Sequence, residues 1–336
     1  MRPSALRFGP RAVRRAGGDA GSHNGPPGAP RPGSAVRASA KPSPGRRLRD
    51  LADLVRAPAA FTVPGDVLAG AAAAGRRPGA SVAGLAASSV CLYWAGMALN
   101  DWADRDLDAV ERPERPIPSG RVSAPLALGT AAALTAVALG VAAAAEGRRA
   151  LTVAVPLAAT VWGYDLWAGS RSVGPAVMAA ARGLDVLLGA GADRLRPALP
   201  AAAIVAGHTL AVTALSRAEV TGAEPWLPRG TLAATGAVAA ATAFRDGPAR
   251  QGRGRGRRLA LAGGLVAYGA TAGRAQARAV ADPSPGKIRG AVGAGILGLI
   301  PLQAALTAGA GQVRSALPLA AVFPLARALS RRVSPT

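Results

Sequence analysis

Long apolar stretches, broken by short polar or glycine- and proline-rich segments, follow one another along the chain from residue 58 onward. Most are long enough for a helix that spans roughly 30 Å of hydrocarbon, which takes about 20 residues. They carry no polar stripe of their own, which a soluble alanine-rich bundle would need. They lie near residues 58–74, 81–99, 124–145, 150–168, 174–192, 199–215, 229–244, 258–274 and 288–308, with a shorter one near 314–329. The pattern predicts an all-α, polytopic transmembrane helical bundle of about nine transmembrane helices.

The chain before the first apolar stretch has a different character. Residues 1–45 are rich in Arg, Pro, Gly and Ser and have no apolar period, which predicts a disordered basic N-terminal tail. Residues 46–330 form the predicted membrane domain, and it opens with an amphipathic helix lying at the membrane interface. The polar side of this helix is expected to carry Arg46, Arg47, Arg49 and Arg56.

Composition supports a membrane protein. Half of the residues are hydrophobic and only 17% are charged, whereas about a quarter are charged in a typical soluble domain. The 40 basic residues outnumber the 18 acidic ones and give a net charge of +22, which suits either nucleic acid or anionic lipid. Because long apolar stretches accompany this charge, we expect the lipid bilayer, and no nucleic acid, to be the partner.

The distribution of arginine gives the bundle a predicted orientation. Basic residues concentrate in the tail and in residues 46–56, so the positive-inside rule places the N-terminus in the cytoplasm, with a multi-pass bundle in the cell (inner) membrane. Two features disagree with this assignment. On the same count of helices, the Arg76–Arg77 pair and the basic run from Arg245 to Arg258 fall on the outer side.

The cysteine and histidine content restricts the chemistry. Cys91 is the only cysteine, which excludes an internal disulfide and any cysteine-rich metal centre. His208 lies in an apolar stretch, where a lone histidine is more often a packed, hydrogen-bonded residue than a metal ligand. The remaining candidates for metal binding are carboxylates.

Carboxylates gather where the second apolar stretch ends. Asp101, Asp104 and Asp108 have offsets of 0, 3 and 7, which would place them on one helical face. Three carboxylates at a membrane boundary require a compensating cation, and Mg²⁺ fits because it binds one or two carboxylates together with substrate phosphates. The alternative is a solvated acidic loop with local arginine partners. Those arginines are Arg105, Arg112, Arg115 and Arg121.

Two motifs in this region carry a resemblance to a known family. Asn100, Asp101, Asp104 and Asp108 match NDxxDxxxD, the first aspartate-rich motif of the UbiA-type intramembrane prenyltransferases, at every fixed place. The RxxRPxxxG element that follows in that family is matched by Arg112, Arg115, Pro116 and Gly120. The chain therefore resembles the UbiA-type superfamily over roughly residues 50–330.

The second acidic motif of that family is altered. In LSRAEVTGAE, Ser216 stands where an Asp is usual, Glu219 replaces the second Asp, and Glu224 is the candidate for the last carboxylate. The family's Tyr-and-Lys element is matched by Tyr164, with Arg171 in place of the Lys. This SRAE form resembles the UbiA-like branch of Ebo-type gene clusters, as do FTVPGDVLAG and KIRGAVGAGILGLIPLQAAL.

The resemblance implies a Mg²⁺-dependent intramembrane prenyltransferase, which moves a prenyl group from a prenyl diphosphate to an aromatic or other apolar acceptor. Its implied catalytic residues are Asn100, Asp101, Asp104, Asp108 and Glu219, and its implied metal ligands are Asp101, Asp104, Asp108, Glu219 and Glu224. Candidates for substrate binding are Asp66, Arg112, Arg115, Tyr164, Arg171, Arg182, Ser216 and Arg217. The alternative is a non-catalytic UbiA-like membrane protein that binds or transports a lipid-like or biosynthetic precursor.

Two expectations concern geometry. Asp66 lies inside the first apolar stretch, where it is either a functional carboxylate or a helix-interior Asp paired with Arg182 or with backbone at Pro64–Gly65. Asp101 or Asp104 should face Glu219 across a cavity at a separation of roughly 6–12 Å, the reach of two carboxylate–metal–phosphate links.

Overall fold

The computed structural model describes residues 44–56, 60, 62–245 and 254–333. Within these residues every regular element is helical, and no β-strand occurs. The α-helices are α1 (Pro44–Leu54), α2 (Val63–Ala73), α3 (Ala80–Ala103), α4 (Arg105–Glu111), α5 (Ala124–Glu146), α6 (Leu151–Gly163), α7 (Gly174–Ala190), α8 (Leu195–Ser216), α9 (Trp226–Phe244), α10 (Arg255–Tyr268), α11 (Arg274–Ala281), α12 (Pro285–Gly309) and α13 (Val313–Val333). The predicted tail falls almost wholly outside the described residues, as does the centre of the basic run after α9.

The predicted class, an all-α transmembrane bundle, is confirmed. Each predicted apolar stretch contains one of these helices. Among the described residues, four helices are long and apolar enough to cross a membrane, and α2 is a shorter apolar helix. The four are Ala80–Ala103, Ala124–Glu146, Ala192–Ser216 and Pro285–Gly309. The predicted number of nine spans is not confirmed.

Glycine and proline set the boundaries between helices. Pro125 and Pro175 lie in the first turns of α5 and α7, where a missing backbone N–H costs nothing. Gly147 and Gly191 end the same two helices at φ 74° and 76°, a left-handed conformation that residues with a Cβ adopt only under strain. Short connections of this kind keep consecutive helices antiparallel and bring alternate connections to the same end of the bundle.

Small residues let the helices pack closely. A Cβ added to Gly70 would lie 1.7 Å from the Val186 carbonyl oxygen, and one added to Gly189 would lie 2.0 Å from that of Val67. The backbones of α2 and α7 therefore touch, which is how transmembrane helices gain dispersion contacts without a hydrophobic drive between them. Helix α12 occupies the centre, with 78% of its most apolar stretch buried, whereas only 22% of that of α5 is buried.

One end of the bundle collects the predicted motifs. The end of α3 and the turn after α6 line one cavity there. The turn after α6 is joined to the end of α8 by a hydrogen bond from Arg217 to the Arg171 carbonyl (2.9 Å), and the turn after α8 is joined to the start of α12 by one from the Ala223 amide to the Pro283 carbonyl (3.1 Å). Helix α1 is tied to the same end because Arg121 donates to Asp50 (3.0 Å) and Asp53 (2.9 Å). We call this the motif end.

Candidate diphosphate and metal site

The acidic motif spans a break between two helices. Helix α3 ends at Ala103, and Asp104 has φ −88° and ψ 3° before α4 begins at Arg105. Helical spacing nevertheless continues, because the Asp104 amide donates to Asn100 (2.9 Å) and the Asp108 amide to Asp104 (2.8 Å). The predicted single face is therefore interrupted at Asp104. The three carboxylates also have different surroundings.

Two of the carboxylates are enclosed and held by arginine. Asp101 and Asp108 are each 3% exposed, and Arg115 Nη1 lies 2.5 Å from Asp108 and 3.4 Å from Asp101. Arg56 Nη2 lies 2.8 Å from Asp101 as well. The motif aspartates and the RxxRP arginine thus form one charge network, in which the guanidinium groups supply much of the compensation that the sequence assigned to a metal.

Arg56 is a correction to the sequence interpretation. It was expected on the solvated polar side of the first helix, but α1 ends at Leu54, and Arg56 turns with φ 47° toward Asp101. This positive φ is uncommon for a residue with a side chain and marks a backbone held by its surroundings. Arg56 was not among the predicted site residues, and its partner lies 45 positions away, so no local pattern could have found it.

Asp104 is the carboxylate that remains open. Its nearest recorded partner is the Asn100 amide, whose Nδ2 lies 3.1 Å away, and no arginine lies within ion-pair distance of it in the part of the chain that the structure describes. Partial burial and the neighbouring charge of Asp108 raise the pKa of Asp104 above its usual value. Asp104 is therefore the motif residue best able to accept an external cation.

A polar cavity adjoins Asp104. It has a volume of about 290 Å³ and is lined by Asn100, Asp104, Tyr164, Asp165, Leu166, Trp167, Gly169 and Ser170. The π-helical turn Tyr164–Ala168 brings the Tyr164 and Asp165 side chains to this cavity. Asp165 was missed as a site residue from the sequence. The signal for it was present, since an acidic residue beside the predicted Tyr interrupts an apolar stretch.

A second cavity, which we call the apolar cavity, shares Tyr164 and Asp165 with the polar one. It has a volume of about 140 Å³. Its apolar walls include Leu92, Met97, Leu157, Val161, Met178 and Ala181. Arg182 and Asp185 line it too. A charged ligand group in the polar cavity would thus lie beside a lipid-like environment.

The predicted residues Asp66 and Arg182 pair inside the bundle. Arg182 Nε lies 2.9 Å from Asp66 Oδ2, and Gln303 Nε2 donates to Asp66 Oδ1 at 2.7 Å. Asp66 is fully buried. Close by, Ser89 Oγ donates to Asp185 Oδ1 at 2.6 Å. The geometry therefore selects the Arg182 partner among the alternatives left open for Asp66.

The altered second motif lies near the site but does not line either cavity. Ser216 Oγ donates to the Thr213 carbonyl of its own helix (2.9 Å), and Glu224 is exposed. Partial burial raises the pKa of Glu219, while the charges of Arg289 and Arg112 lower it. Glu219 is therefore close to Arg112 of the RxxRPxxxG element. That it faces Asp101 or Asp104 across the cavity stays a prediction.

The remaining predicted arginines surround the rim. Arg217 donates to the backbone of the turn beside the polar cavity, at the Arg171 carbonyl. Arg171 stacks over the Trp167 ring at 4.6 Å, and Arg112 is exposed. These arginines therefore lie around the polar cavity at the motif end.

The donor set of the polar cavity suits a magnesium ion bound together with phosphate. Within the described ranges, no group of three or more His, Cys, Asp or Glu side chains is placed to hold a metal. Mg²⁺ does not require one, since it commonly binds through one or two carboxylates plus substrate phosphates and water. Asp104, Asp165 and the Asn100 side-chain oxygen provide hard oxygen donors on one cavity. The residues present therefore fit the ion.

The fold and this site define an integral membrane helical bundle with an acidic cavity at one end. The sequence model of the UbiA prenyltransferase family matches residues 60–244, more than half of the chain. The protein therefore belongs to the UbiA prenyltransferase family.

Curated relatives agree over shorter lengths. Digeranylgeranylglyceryl phosphate synthase of Natronomonas pharaonis is 35% identical over 147 residues, which are 44% of this chain and 53% of that protein. The Ignicoccus hospitalis protein of the same name is 43% identical over 91 residues, 27% of this chain and 29% of its own. Chloroplastic chlorophyll synthase of Oryza sativa subsp. japonica is 47% identical over 64 residues, 17% of each chain. The match thus spans about half, or less, of each relative's length.

Solved structures support the fold. A structure from a study of digeranylgeranylglyceryl phosphate synthase in membranes superposes with a TM-score of 0.60 over 80% of this chain and 99% of that one, at 15% identity. The apo structure of a UbiA homologue from Aeropyrum pernix K1 gives 0.53 over 74% of this chain and 96% of its own, at 23% identity. At these identities the likeness concerns the architecture alone.

Proposed function

We propose that this protein is a Mg²⁺-dependent intramembrane prenyltransferase, which moves a prenyl group from a prenyl diphosphate to an aromatic or other apolar acceptor. The observation that carries the proposal is the junction of two cavities at Tyr164 and Asp165. One cavity offers oxygen ligands and bordering arginines to a diphosphate, and the other offers apolar walls to hydrocarbon. A molecule with a charged head and an apolar tail matches that junction.

In this proposal Asn100, Asp104 and Asp165 would hold Mg²⁺ against the diphosphate, and the ion, when bound, neutralises charge that grows on the leaving group. Asp101 and Asp108 serve the same site through Arg115, which their carboxylates fix in place at 3.4 and 2.5 Å. Arg115 then presents its remaining N–H groups near Asp104, where it can donate to a phosphate oxygen.

The outer arginines and the second motif have supporting roles in the same proposal. Arg112, Arg171 and Arg217 attract the diphosphate to the motif end and donate to its oxygens. Glu219, held near Arg112, supplies the second acidic position, while Ser216 and Glu224 border it from a greater distance. Tyr164 lines both cavities, and its hydroxyl is a candidate to orient the bond that breaks.

The apolar cavity controls what reaches the reacting carbon. Most of its lining is apolar, and Leu92, Met97 and Val161 limit the access of water to an allylic cation. The cation therefore meets the acceptor before it meets water. This requires no covalent bond to the protein.

One observation favours the alternative function, a non-catalytic UbiA-like protein that binds or transports a lipid-like or biosynthetic precursor. The hydroxyl of Ser216, at the altered position of the second motif, is bonded to its own helix and away from the cavities. A weakened second acidic motif retains diphosphate without promoting its cleavage. The branch of Ebo-type gene clusters, which this motif resembles, belongs with that alternative.

Purified protein in detergent, incubated with a radiolabelled prenyl diphosphate, Mg²⁺ and a panel of aromatic and hydroxylated acceptors, separates the two functions. Transfer of label into an apolar product, lost in Asp104→Asn and kept in Asp106→Asn, supports the enzyme. Asp106 is the matched control because it is two positions away and its side chain is 88% exposed. Mg²⁺-dependent binding without transfer or diphosphate release would favour the carrier.

We also propose the placement that the arginine pattern indicates. The bundle lies in the cell (inner) membrane with its N-terminus, and hence the motif end beside α1, in the cytoplasm. Residues 1–45 are a separate basic tail, and the membrane domain covers residues 46–330. Protease protection of a tag at each end of the chain in sealed vesicles tests the orientation, and a chain starting at Arg46 that inserts normally would support the domain boundary.

A further inference from the structure

A group of buried polar side chains lies at the wall of the apolar cavity, and the chemistry of diphosphate binding does not use it. Asp66 and Arg182 form an ion pair, and Gln303 supports Asp66 from α12. Arg182 Nη2 also donates to the Thr62 carbonyl at 3.3 Å. Asp185, 4% exposed, accepts from Ser89 on its Oδ1. Arg182, Asp185 and Ser89 all line the cavity.

This group is incompletely paired on its cavity side. Its members carry two carboxylates, from Asp66 and Asp185, against the single guanidinium of Arg182. Among the described residues, no hydrogen-bond or ion-pair partner is recorded for Asp185 Oδ2 or for Arg182 Nη1. A free acceptor and free donors therefore lie on the wall of a mostly apolar cavity.

A hydrocarbon tail can lie against the apolar walls of this cavity, at Leu157 and Val161 for example, but it cannot satisfy the polar wall. A prenyl chain has no hydrogen-bonding groups, so covering Arg182 and Asp185 with one would remove water from a carboxylate oxygen and from guanidinium N–H groups without replacement. A hydroxyl group fits, because it can donate to a carboxylate and accept from a guanidinium at the same time. The cavity volume of about 140 Å³ is on the scale that encloses a single aromatic ring.

We propose that Asp185 and Arg182 form the binding site for the hydroxyl group of the acceptor, and that the acceptor is a hydroxylated apolar molecule whose ring or chain lies along the Arg182–Asp185 side of the apolar cavity. The hydroxyl donates to Asp185 Oδ2 and accepts from Arg182 Nη1. Ser89 positions Asp185, while Asp66 and Gln303 position Arg182. This inference rests on the proposed function, since it assigns the second substrate of the same site.

The test compares two probes that differ by one hydrogen-bond donor, 4-octylphenol and its methyl ether 4-octylanisole. Their saturable binding to the full chain in nanodiscs is measured against empty nanodiscs, without Mg²⁺ or prenyl diphosphate. The wild-type protein should bind the phenol at least about tenfold more tightly, the effect of one hydrogen bond to a charged group. Equal binding of the two probes would overturn the assignment.

Variants locate the effect. Asp185→Asn should remove the preference for the phenol, and the fold should tolerate it because the change lowers the excess of buried negative charge. Asp193→Asn, the same change at an exposed residue of the opposite end, should keep the preference. Should Asp185→Asn fail to fold, Ser89→Ala, which frees Asp185 Oδ1, should reduce the preference about threefold. A preference that survives in both variants would contradict the proposal.

The same samples distinguish this inference from the proposed function. Mg²⁺-dependent binding of geranylgeranyl diphosphate should be unchanged in Asp185→Asn, because Asp185 does not line the polar cavity. Phenol preference in a wild-type protein that binds no diphosphate would support the hydroxyl site while overturning the proposed function. Loss of diphosphate binding in Asp185→Asn would place Asp185 in the diphosphate site and overturn the hydroxyl assignment.

Discussion

The two ends of the bundle use the same residue types to different effect. At the end opposite the motifs, Arg76 forms an ion pair with Glu146 and donates to the Gly189 carbonyl at 3.0 Å. Glu146 also accepts a hydrogen bond from Ser81 at 2.7 Å. Gln312 closes the arrangement by donating to the Arg76 carbonyl. Both charges of this arrangement have protein partners, so it ties together α3, α5 and α7.

At the motif end, only some of the carboxylates have arginine partners. Arg115 and Arg56 hold Asp101, and Arg115 also holds Asp108, but Asp104 faces the polar cavity with only the Asn100 amide as a recorded partner. An incompletely paired carboxylate at a membrane boundary costs free energy of folding unless it meets a cation or water. The comparison shows that the Arg76–Glu146 pair at one end is closed by protein contacts, whereas one carboxylate at the motif end is left without an arginine partner among the described residues.

Substitution of Asp104 is the most direct test of this difference between the two ends. We expect Asp104→Asn to lower Mg²⁺-dependent turnover at least about 100-fold, because a metal ligand contributes several kcal/mol of charge stabilisation. The melting temperature in detergent should not fall, since the change removes a partly buried charge that no arginine pairs with among the described residues. Steady-state rates and thermal unfolding of the same preparation measure both. A variant with normal turnover would remove Asp104 from the site.

The opposite substitution pattern is expected at the other end. Glu146→Gln should lower the free energy of unfolding by about 1–3 kcal/mol, because Arg76 would remain partly buried without its counter-charge. Turnover at a temperature well below the transition should be unchanged. Asp193→Asn is the internal control, since its pair with Arg149 is exposed and should contribute less than about 1 kcal/mol. A turnover defect in Glu146→Gln would show that the ends are coupled.

The pH dependence sharpens the assignment of roles. Mg²⁺ binds the carboxylate form, and burial with the nearby Asp108 charge raises the pKa of Asp104, while burial raises that of Glu219. Affinity for prenyl diphosphate at fixed Mg²⁺ should therefore decline as pH falls, starting at a higher pH than an ordinary aspartate would cause. The decline should not exceed about tenfold per pH unit for one carboxylate. A binding isotherm at each pH measures it.

The control for this pH dependence is the variant that lacks the titrating group. In Asp104→Asn the remaining affinity should vary less with pH, because only Glu219 is left with a raised pKa among these two carboxylates. An unchanged pH profile in that variant would assign the titration to another group.

Much of the fold was predictable because membrane burial imposes a long, local pattern. Stretches such as 124–145 are apolar on all sides, and no tertiary detail is needed to identify them as helices. The acidic motif was equally predictable from the sequence, since four polar residues at fixed spacing interrupt that pattern. The role of Arg56 could not be predicted, because its contact with Asp101 depends on how α1 lies against α3. The acidic residue at Asp165 was visible in the sequence, but its place on the polar cavity depends on a π-helical turn that the sequence pattern does not predict.

Ser216 is the opposite case, a residue that the sequence predicts at the site but that does not line either cavity. Its place in the altered motif predicts a ligand position, and from the sequence alone Ser216→Asp is expected to restore the missing carboxylate. The structure turns its hydroxyl back to the Thr213 carbonyl, and the residue lines neither cavity. Position in a motif therefore does not establish that a side chain reaches the pocket.

The smallest effect is expected from Ser216→Asp. A carboxylate at this position would lie beside exposed Arg217 at the end of α8, where solvent screens the charge of the carboxylate. The affinity for Mg²⁺ and prenyl diphosphate should therefore change by less than about threefold, or about 0.6 kcal/mol. Glu219→Gln is the matched comparison, since it removes a partly buried carboxylate three positions along and should weaken binding more. Titrations of both variants at one Mg²⁺ concentration decide the order. A large gain of affinity in Ser216→Asp would mean that the turn after α8 moves and brings this position into the polar cavity when diphosphate binds. The binding site would then include residues of both acidic motifs.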